Sequence, residues 1–247
     1  MLLGKAVQAS SPQGRFLAGA ERLDGLTCQS VEAYGKHLLY GFAGGDTLHL
    51  HLGLYGKFRK TEWPALEPKG AVRLRLESAS HVIDCNGPNC CELLDPPGVA
   101  TLLGRIGPDV LRPDADPGRA WARISRSRTG LGVLLMDQSV LAGIGNIYRT
   151  ELLWRARLHP LLPGRALARE QFDRLWEDAA ALLAIGVRER AIVTVEGAGR
   201  GRGRYGARTN IFAKEKCPRC GGPVERTVLA GRRAFVCPVC QPVPAGG

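Results

Sequence analysis

Residues 31–92 alternate between apolar and polar side chains along most of their length. In Thr47-Leu48-His49-Leu50-His51-Leu52 the leucines fall on one side of a two-residue repeat and the histidines on the other, the pattern of a strand with one buried face. Residues 31–42, 47–58, 71–78 and 81–85 read as strands in the same way, broken by clusters of Gly, Asp and Pro. Together they predict a β domain, built as a sandwich or flattened barrel.

The period changes near Gly107-Pro108-Asp109. Residues 113–117, Pro-Asp-Ala-Asp-Pro, read as a linker that ends in a helix start, and beyond them Leu, Trp and Ala recur at three and four residues. Helices are expected over 119–125, 133–138, 147–156 and 171–190. Residues 197–207, rich in Gly and Arg, have little to bury and are expected to form a mobile strap. The predicted fold class is therefore α+β, with an N-terminal β-sandwich (1–107), a helical domain (108–205) and a C-terminal hairpin module (206–247).

That module carries the strongest chemical signal. Cys217, Cys220, Cys237 and Cys240 stand as C-x2-C-x16-C-x2-C, with a Pro after the first Cys of each pair. Each pair turns tightly enough to place two sulfurs on one ion, and the spacer is long enough for a β-hairpin. Four thiolates give the closed tetrahedral shell of one structural Zn(2+) per chain. The other four cysteines are scattered, which fits a reducing compartment better than a disulfide scaffold. Cys85, Cys90 and Cys91 can be read as a second metal site or as buried or loop thiols. His49 and His51 can be read as an H-x-H metal pair or, with no third ligand evident, as solvent-facing or hydrogen-bonded histidines.

Charge then narrows the partner. The 247 residues carry a formal net charge of +11, and between residues 200 and 233 ten Lys and Arg stand against Glu215 and Glu225, which supplies +8 of that total. A mostly arginine run around a metal module favours a polyanion, nucleic acid above all. No apolar run is long enough to cross a bilayer, and the opening MLLGKAVQASS is too short and mixed for a secretory signal. The reading is a cytoplasmic, nucleoid-associated protein with no membrane partner.

Within the helical part, residues 135–153 (LMDQSVLAGIGNIYRTELL) place Gly143 and Gly145 just before Asn146 at an expected helix start. Free backbone N–H groups there, with the Asn146 amide, can hold a phosphate. Asn146 as a plain N-cap after a Gly-rich turn reads equally well.

Asp137-Gln138, Gly143-Ile144-Gly145-Asn146-Ile147-Tyr148 and Glu151 together resemble the helix–two-turn–helix of the formamidopyrimidine-DNA glycosylase / endonuclease VIII family. The four-cysteine hairpin resembles that family's terminal zinc finger, Gly35-Lys36-His37-Leu38-Leu39 its lysine-bearing strand, and His51-Leu52-Gly53-Leu54-Tyr55-Gly56 its gap-filling loop. The likeness runs in order along nearly the whole chain, and Leu54-Tyr55 is closer to the endonuclease VIII branch.

The resemblance implies a monomeric base-excision repair glycosylase with abasic-site lyase activity on oxidised bases in damaged double-stranded DNA, bound in a cleft between the β and helical parts. It implies that Lys36, Asn146 and Arg232 grip phosphates and that Leu54 and Tyr55 wedge into the base stack.

One departure stands out. Family members that perform the chemistry begin with Pro-Glu after the initiator Met, and the proline amine attacks C1′ to form a Schiff base. Here the first residues are Met1-Leu2-Leu3-Gly4, and Ser10-Ser11-Pro12-Gln13 resembles sequence well past the nucleophile. A start further upstream, or a variant that binds lesions without chemistry, both account for this. The retention of Lys36, Leu54, Tyr55, Asn146 and Arg232 favours the first. A zinc-ribbon protein of transcription or ribosome assembly is the reading from another class.

Overall fold

The computed structural model describes residues 1–198 and 207–244, which form two compact units, Met1–Arg105 and Ile106–Gly247. Most of the expected strap over 197–207 lies outside the described residues.

The first unit runs β1 (Gln8–Ser10), α1 (Leu17–Leu23), β2 (Cys28–Tyr34), β3 (His37–Phe42), β4 (Thr47–His51), β5 (Lys57–Glu62), β6 (Val72–Glu77), β7 (His81–Asn86), β8 (Cys90–Leu94) and α2 (Pro96–Arg105). Two four-stranded antiparallel sheets result, in the orders β1-β6-β7-β5 and β2-β3-β4-β8. They share one core, in which Phe42, Leu48 and Leu50 of one sheet meet Leu74, Leu76 and Cys85 of the other. The period-2 leucines of β4 point inward as the sequence predicts. Burying such a side chain stabilises the fold by roughly 1.5–3 kcal/mol.

Two local readings change, and one element is added. Gly35 and Lys36 form the tight turn between β2 and β3, closed by the pair Tyr34 and His37, so Lys36 sits on a hairpin tip and not within a strand. Gly35 has φ +60°, a backbone setting that an L side chain rarely tolerates. Residues 52–56 leave the strand pattern for a loop. Residues 96–105, to which the sequence pattern assigns no element, form a helix: Asp95 accepts a hydrogen bond from Gly98 N at 2.8 Å and proline fits a helix's first turn.

The second unit contains α3 (Pro117–Ile124), α4 (Leu131–Leu134), α5 (Asn146–Arg155), α6 (Arg169–Glu189), β9 (Glu225–Leu229) and β10 (Arg232–Val236). Asp116 caps α3 by accepting from Gly118 N, with Pro117 following it. The expected helix over 133–138 is displaced and shortened to α4. Its core gathers Ile124, Leu131, Leu135, Leu141, Ile144, Leu152, Phe172 and Leu175. Gly107 fits against residues 139–140 because it lacks a side chain: a Cβ there would lie 2.5 Å from the Val140 carbonyl carbon. No helix among the described residues is long and apolar enough to cross a membrane.

Candidate zinc centre and nucleic-acid interface

The four terminal cysteines converge, their Sγ atoms all within 4.8 Å of one another. Cys217 and Cys240 sulfurs are 3.9 Å apart and Cys220 and Cys237 sulfurs 3.5 Å. A tetrahedron with Zn–S bonds of about 2.3 Å has sulfur–sulfur edges of about 3.8 Å, so the donors fit zinc closely. All four corners are protein sulfur, which leaves no position for a reactive water and makes the ion structural.

Burial works against the Cys217 thiolate, but hydrogen bonds from the Trp154 indole and the Arg219 and Cys220 backbone more than offset it and hold its pKa down to about 6. Desolvation and neighbouring sulfurs push Cys240 up to about 12. Binding of a dication by such a set releases the thiol protons, since the thiolate is the ligand.

The module is fastened to α5. Trp154 Nε1 donates to Cys217 Sγ at 3.3 Å, the Arg219 guanidinium lies 4.2 Å over the Trp154 ring and donates to the Trp154 carbonyl, and Gln241 Nε2 reaches the Leu158 carbonyl at 2.8 Å.

The start of α5 is shaped by the residues before it. Gln138 Nε2 donates to the Met136 and Ile144 carbonyls at 3.0 Å while its Oε1 accepts from Gly143 N at 3.0 Å, and Asp137 accepts from both Ser139 N and Ser139 Oγ. These bonds fold the two turns between α4 and α5, with Gly143 at φ +90°.

Gly145 is the N-cap, and the Asn146 side chain makes no cap bond. Instead Asn146 Nδ2 donates to the Arg233 carbonyl at 2.9 Å, and its Oδ1 accepts from Arg149. Arg149, buried in α5, also donates to the Gly132 carbonyl at 3.0 Å and to the Arg233 carbonyl at 3.3 Å. Burial and then the charge of Arg232 lower the Arg149 guanidinium from its ordinary range. The helix start and the hairpin strand are thus joined, with Asn146, Arg149 and exposed Arg232 and Arg233 in one neighbourhood.

Glu151, on the same helix, is fully buried and accepts five hydrogen bonds. The donors are Thr194 Oγ1 (2.6 Å), Asn210 N and Nδ2 (2.8 and 3.0 Å), Ile211 N (2.9 Å) and Phe212 N (2.8 Å). It anchors the segment that leads into the zinc module.

In the first unit, Lys36 lies at the β2–β3 tip near His37 and His51. Leu54 and Tyr55 crown the loop between β4 and β5 and are 65% and 88% exposed, which is unusual for apolar side chains of their size. Gly56 N bonds to the Leu52 carbonyl, and Asn89 N to the His51 carbonyl, holding that loop closed at its base.

Cys85, Cys90 and Cys91 do not form a metal cluster among the described residues; Cys85 is in the core, and Cys90 groups instead with His49 and Glu92. His49 is buried, not solvent-facing, because Leu39 lies beside it across β3 and Glu92 beside it across β8.

A zinc-stapled hairpin presenting arginines beside a helix start, joined to the fold by helix–turn contacts, defines a zinc-finger nucleic-acid-binding protein. The profile of the formamidopyrimidine-DNA glycosylase N-terminal domain matches residues 4–87, that of the formamidopyrimidine-DNA glycosylase H2TH domain 106–196, and that of the zinc finger found in FPG and IleRS 214–243. Endonuclease 8 1 of Mycobacterium tuberculosis is 44% identical over 254 residues, covering 96% of this chain and 92% of its own. Formamidopyrimidine-DNA glycosylase of Thermomicrobium roseum is 34% identical, covering 87% of this chain and 81% of its own. Lactococcus lactis formamidopyrimidine-DNA glycosylase, solved non-covalently bound to DNA containing an abasic site, superposes with a TM-score of 0.81 at 25% identity, over 98% of this chain and 94% of that one. The chain belongs to the formamidopyrimidine-DNA glycosylase / endonuclease 8 family of base-excision repair glycosylases and abasic-site lyases.

Proposed function

We propose that this protein binds damaged double-stranded DNA as a monomer, with Asn146, Arg232 and Lys36 holding phosphates and Leu54 and Tyr55 filling the space left by a displaced nucleotide. The observation that carries this reading is the tie from Asn146 and Arg149 to the Arg233 carbonyl, which sets the arginines of β10 beside the N–H groups of a helix's first turn. Oriented N–H donors and guanidinium groups are the general chemistry of phosphate capture. The exposed pair Leu54-Tyr55 supplies what phosphate contacts cannot, an apolar group able to offset the few kcal/mol lost on unstacking. In this reading the domains follow the boundaries 1–107, 108–205 and 206–247.

The test is fluorescence anisotropy on duplexes with and without a single abasic site. Arg232→Ala is expected to weaken binding to both duplexes alike and to reduce the slope of log affinity against log salt by about one. Leu54→Ala with Tyr55→Ala is expected to leave that slope unchanged and to remove the preference for the abasic duplex. Equal affinity of the unaltered protein for both duplexes would overturn the reading.

Chemistry is separable from binding. A polypeptide made from Met1 onward carries no Pro-Glu pair ahead of Ser10-Ser11-Pro12-Gln13. It is expected to bind abasic-site DNA yet form little borohydride-trapped adduct. Trapping at the level of a Pro-Glu-bearing relative run in parallel would refute this.

A further inference from the structure

On the face of β2-β3-β4-β8 opposite the sandwich core, His49-x-His51 of β4 lies across from Cys90-x-Glu92 of β8. The antiparallel register pairs His49 with Glu92 and His51 with Cys90, so the pleat turns all four residues to one side. His49 Nδ1 is 2.9 Å from Glu92 Oε1 and 3.6 Å from Cys90 Sγ, and the three atoms all lie within 4.8 Å of one another.

We propose that His49, Cys90 and Glu92 form a second metal site, for a borderline-soft divalent transition ion such as zinc. One imidazole nitrogen, one thiol and one carboxylate converge on a point: the carboxylate takes hydrogen bonds from both the imidazole and the thiol, and the three donor atoms are arranged as three corners of a coordination shell. An ion at their centre serves all three.

Distances support this. Tetrahedral bonds of about 2.0 Å to nitrogen and 2.3 Å to sulfur give a nitrogen–sulfur edge of about 3.5 Å, close to the spacing observed. The corresponding nitrogen–oxygen edge is about 3.3 Å, so Glu92 would withdraw by about 0.4 Å. Its side chain is 51% exposed and has room to do so.

The other face of the imidazole is already fixed: His49 Nε2 is 2.8 Å from His37 Nδ1, the outer contact that orients a ligating histidine. A nitrogen, a sulfur and a single carboxylate favour zinc, cobalt or nickel over magnesium or calcium. Three protein ligands leave the fourth position to water. The ion would staple edge strand β8 to β4 in the unit that carries Lys36, Leu54 and Tyr55. This site is distinct from the terminal four-cysteine centre and does not depend on the DNA-binding reading.

The test is metal loading of the full chain. After incubation with Zn2+ and removal of excess, plasma mass spectrometry is expected to find two ions per chain, falling to one in Cys90→Ser and in Glu92→Gln. Cobalt titration separates the centres: the second equivalent should add a single-thiolate charge-transfer band that Cys90→Ser abolishes while the four-thiolate band of the first remains. Glu92→Gln changes a half-exposed side chain without altering its size, so it keeps the test valid if Cys90→Ser folds poorly. One ion per loaded chain, or a second ion unaffected by Glu92→Gln, would overturn the proposal.

Discussion

Stripping the terminal zinc with a strong chelator is expected to abolish DNA binding at physiological salt while residues 1–105 stay folded. Strands β9 and β10 are five residues each, and an isolated two-stranded hairpin of that size is marginal in water. Zinc binding to such modules is worth on the order of 10–16 kcal/mol, comparable to the roughly 5–15 kcal/mol that holds a whole domain together. The cluster beneath the hairpin, Trp154, Ile211, Cys217 and Cys237, includes two of the metal's own ligands and cannot replace it.

With the ion gone, Arg232 and Arg233 leave the α5 start, and Asn146 loses the Arg233 carbonyl to which it donates. The sandwich has its own core and should not follow. Limited proteolysis with and without chelator, beside an anisotropy titration, checks both halves. Chelated protein that keeps its affinity would show that the hairpin is not what grips the duplex.

Glu151→Ala is expected to cost about 3–5 kcal/mol of stability, because a buried donor left without its acceptor costs about 1–3 kcal/mol and several are stranded at once. At about 2–4 °C per kcal/mol for a chain of this size, Tm should drop by about 6–20 °C. The donors that met the carboxylate, three of them backbone N–H groups, are left without it.

Glu151→Gln should be nearly as damaging. One carboxylate oxygen accepts from Thr194 and Asn210 and the other from Ile211 and Phe212, so an amide turned either way points its own NH2 at donors. Calorimetry on both variants measures this. A Gln variant within about 1 kcal/mol of the unaltered protein would mean that the network carries little of the stability.

What could be read in the chain follows from the range of each interaction. The cysteine tetrad is legible because each half of it is a local turn, and β4 because its alternation is local too. Asn146 reads equally as cap and as phosphate ligand in the sequence because its partner, the Arg233 carbonyl, lies 87 residues away. The role of Arg149 is barely legible in the sequence. Its one visible signal is a charge three residues after Asn146, set among Ile147, Tyr148, Leu152 and Leu153. The bonds of Glu151 to residues 194 and 210–212, and the pairing of His49 with Cys90 and Glu92, depend on chain reversals and strand register that no nearby residue announces. Helix α2 is illegible for the opposite reason: its Pro pair suits a helix's first turn and a loop equally well.

The five-residue step from Arg232 to Cys237 has an evolutionary corollary. Successive side chains of β10 point to opposite sides, and Cys237 is fixed by its ion, so adding or deleting one residue between them would swing Arg232 to the reverse side of the ribbon. Length drift in that stretch is therefore constrained by parity: changes of two residues keep the arginine's heading, and changes of one invert it.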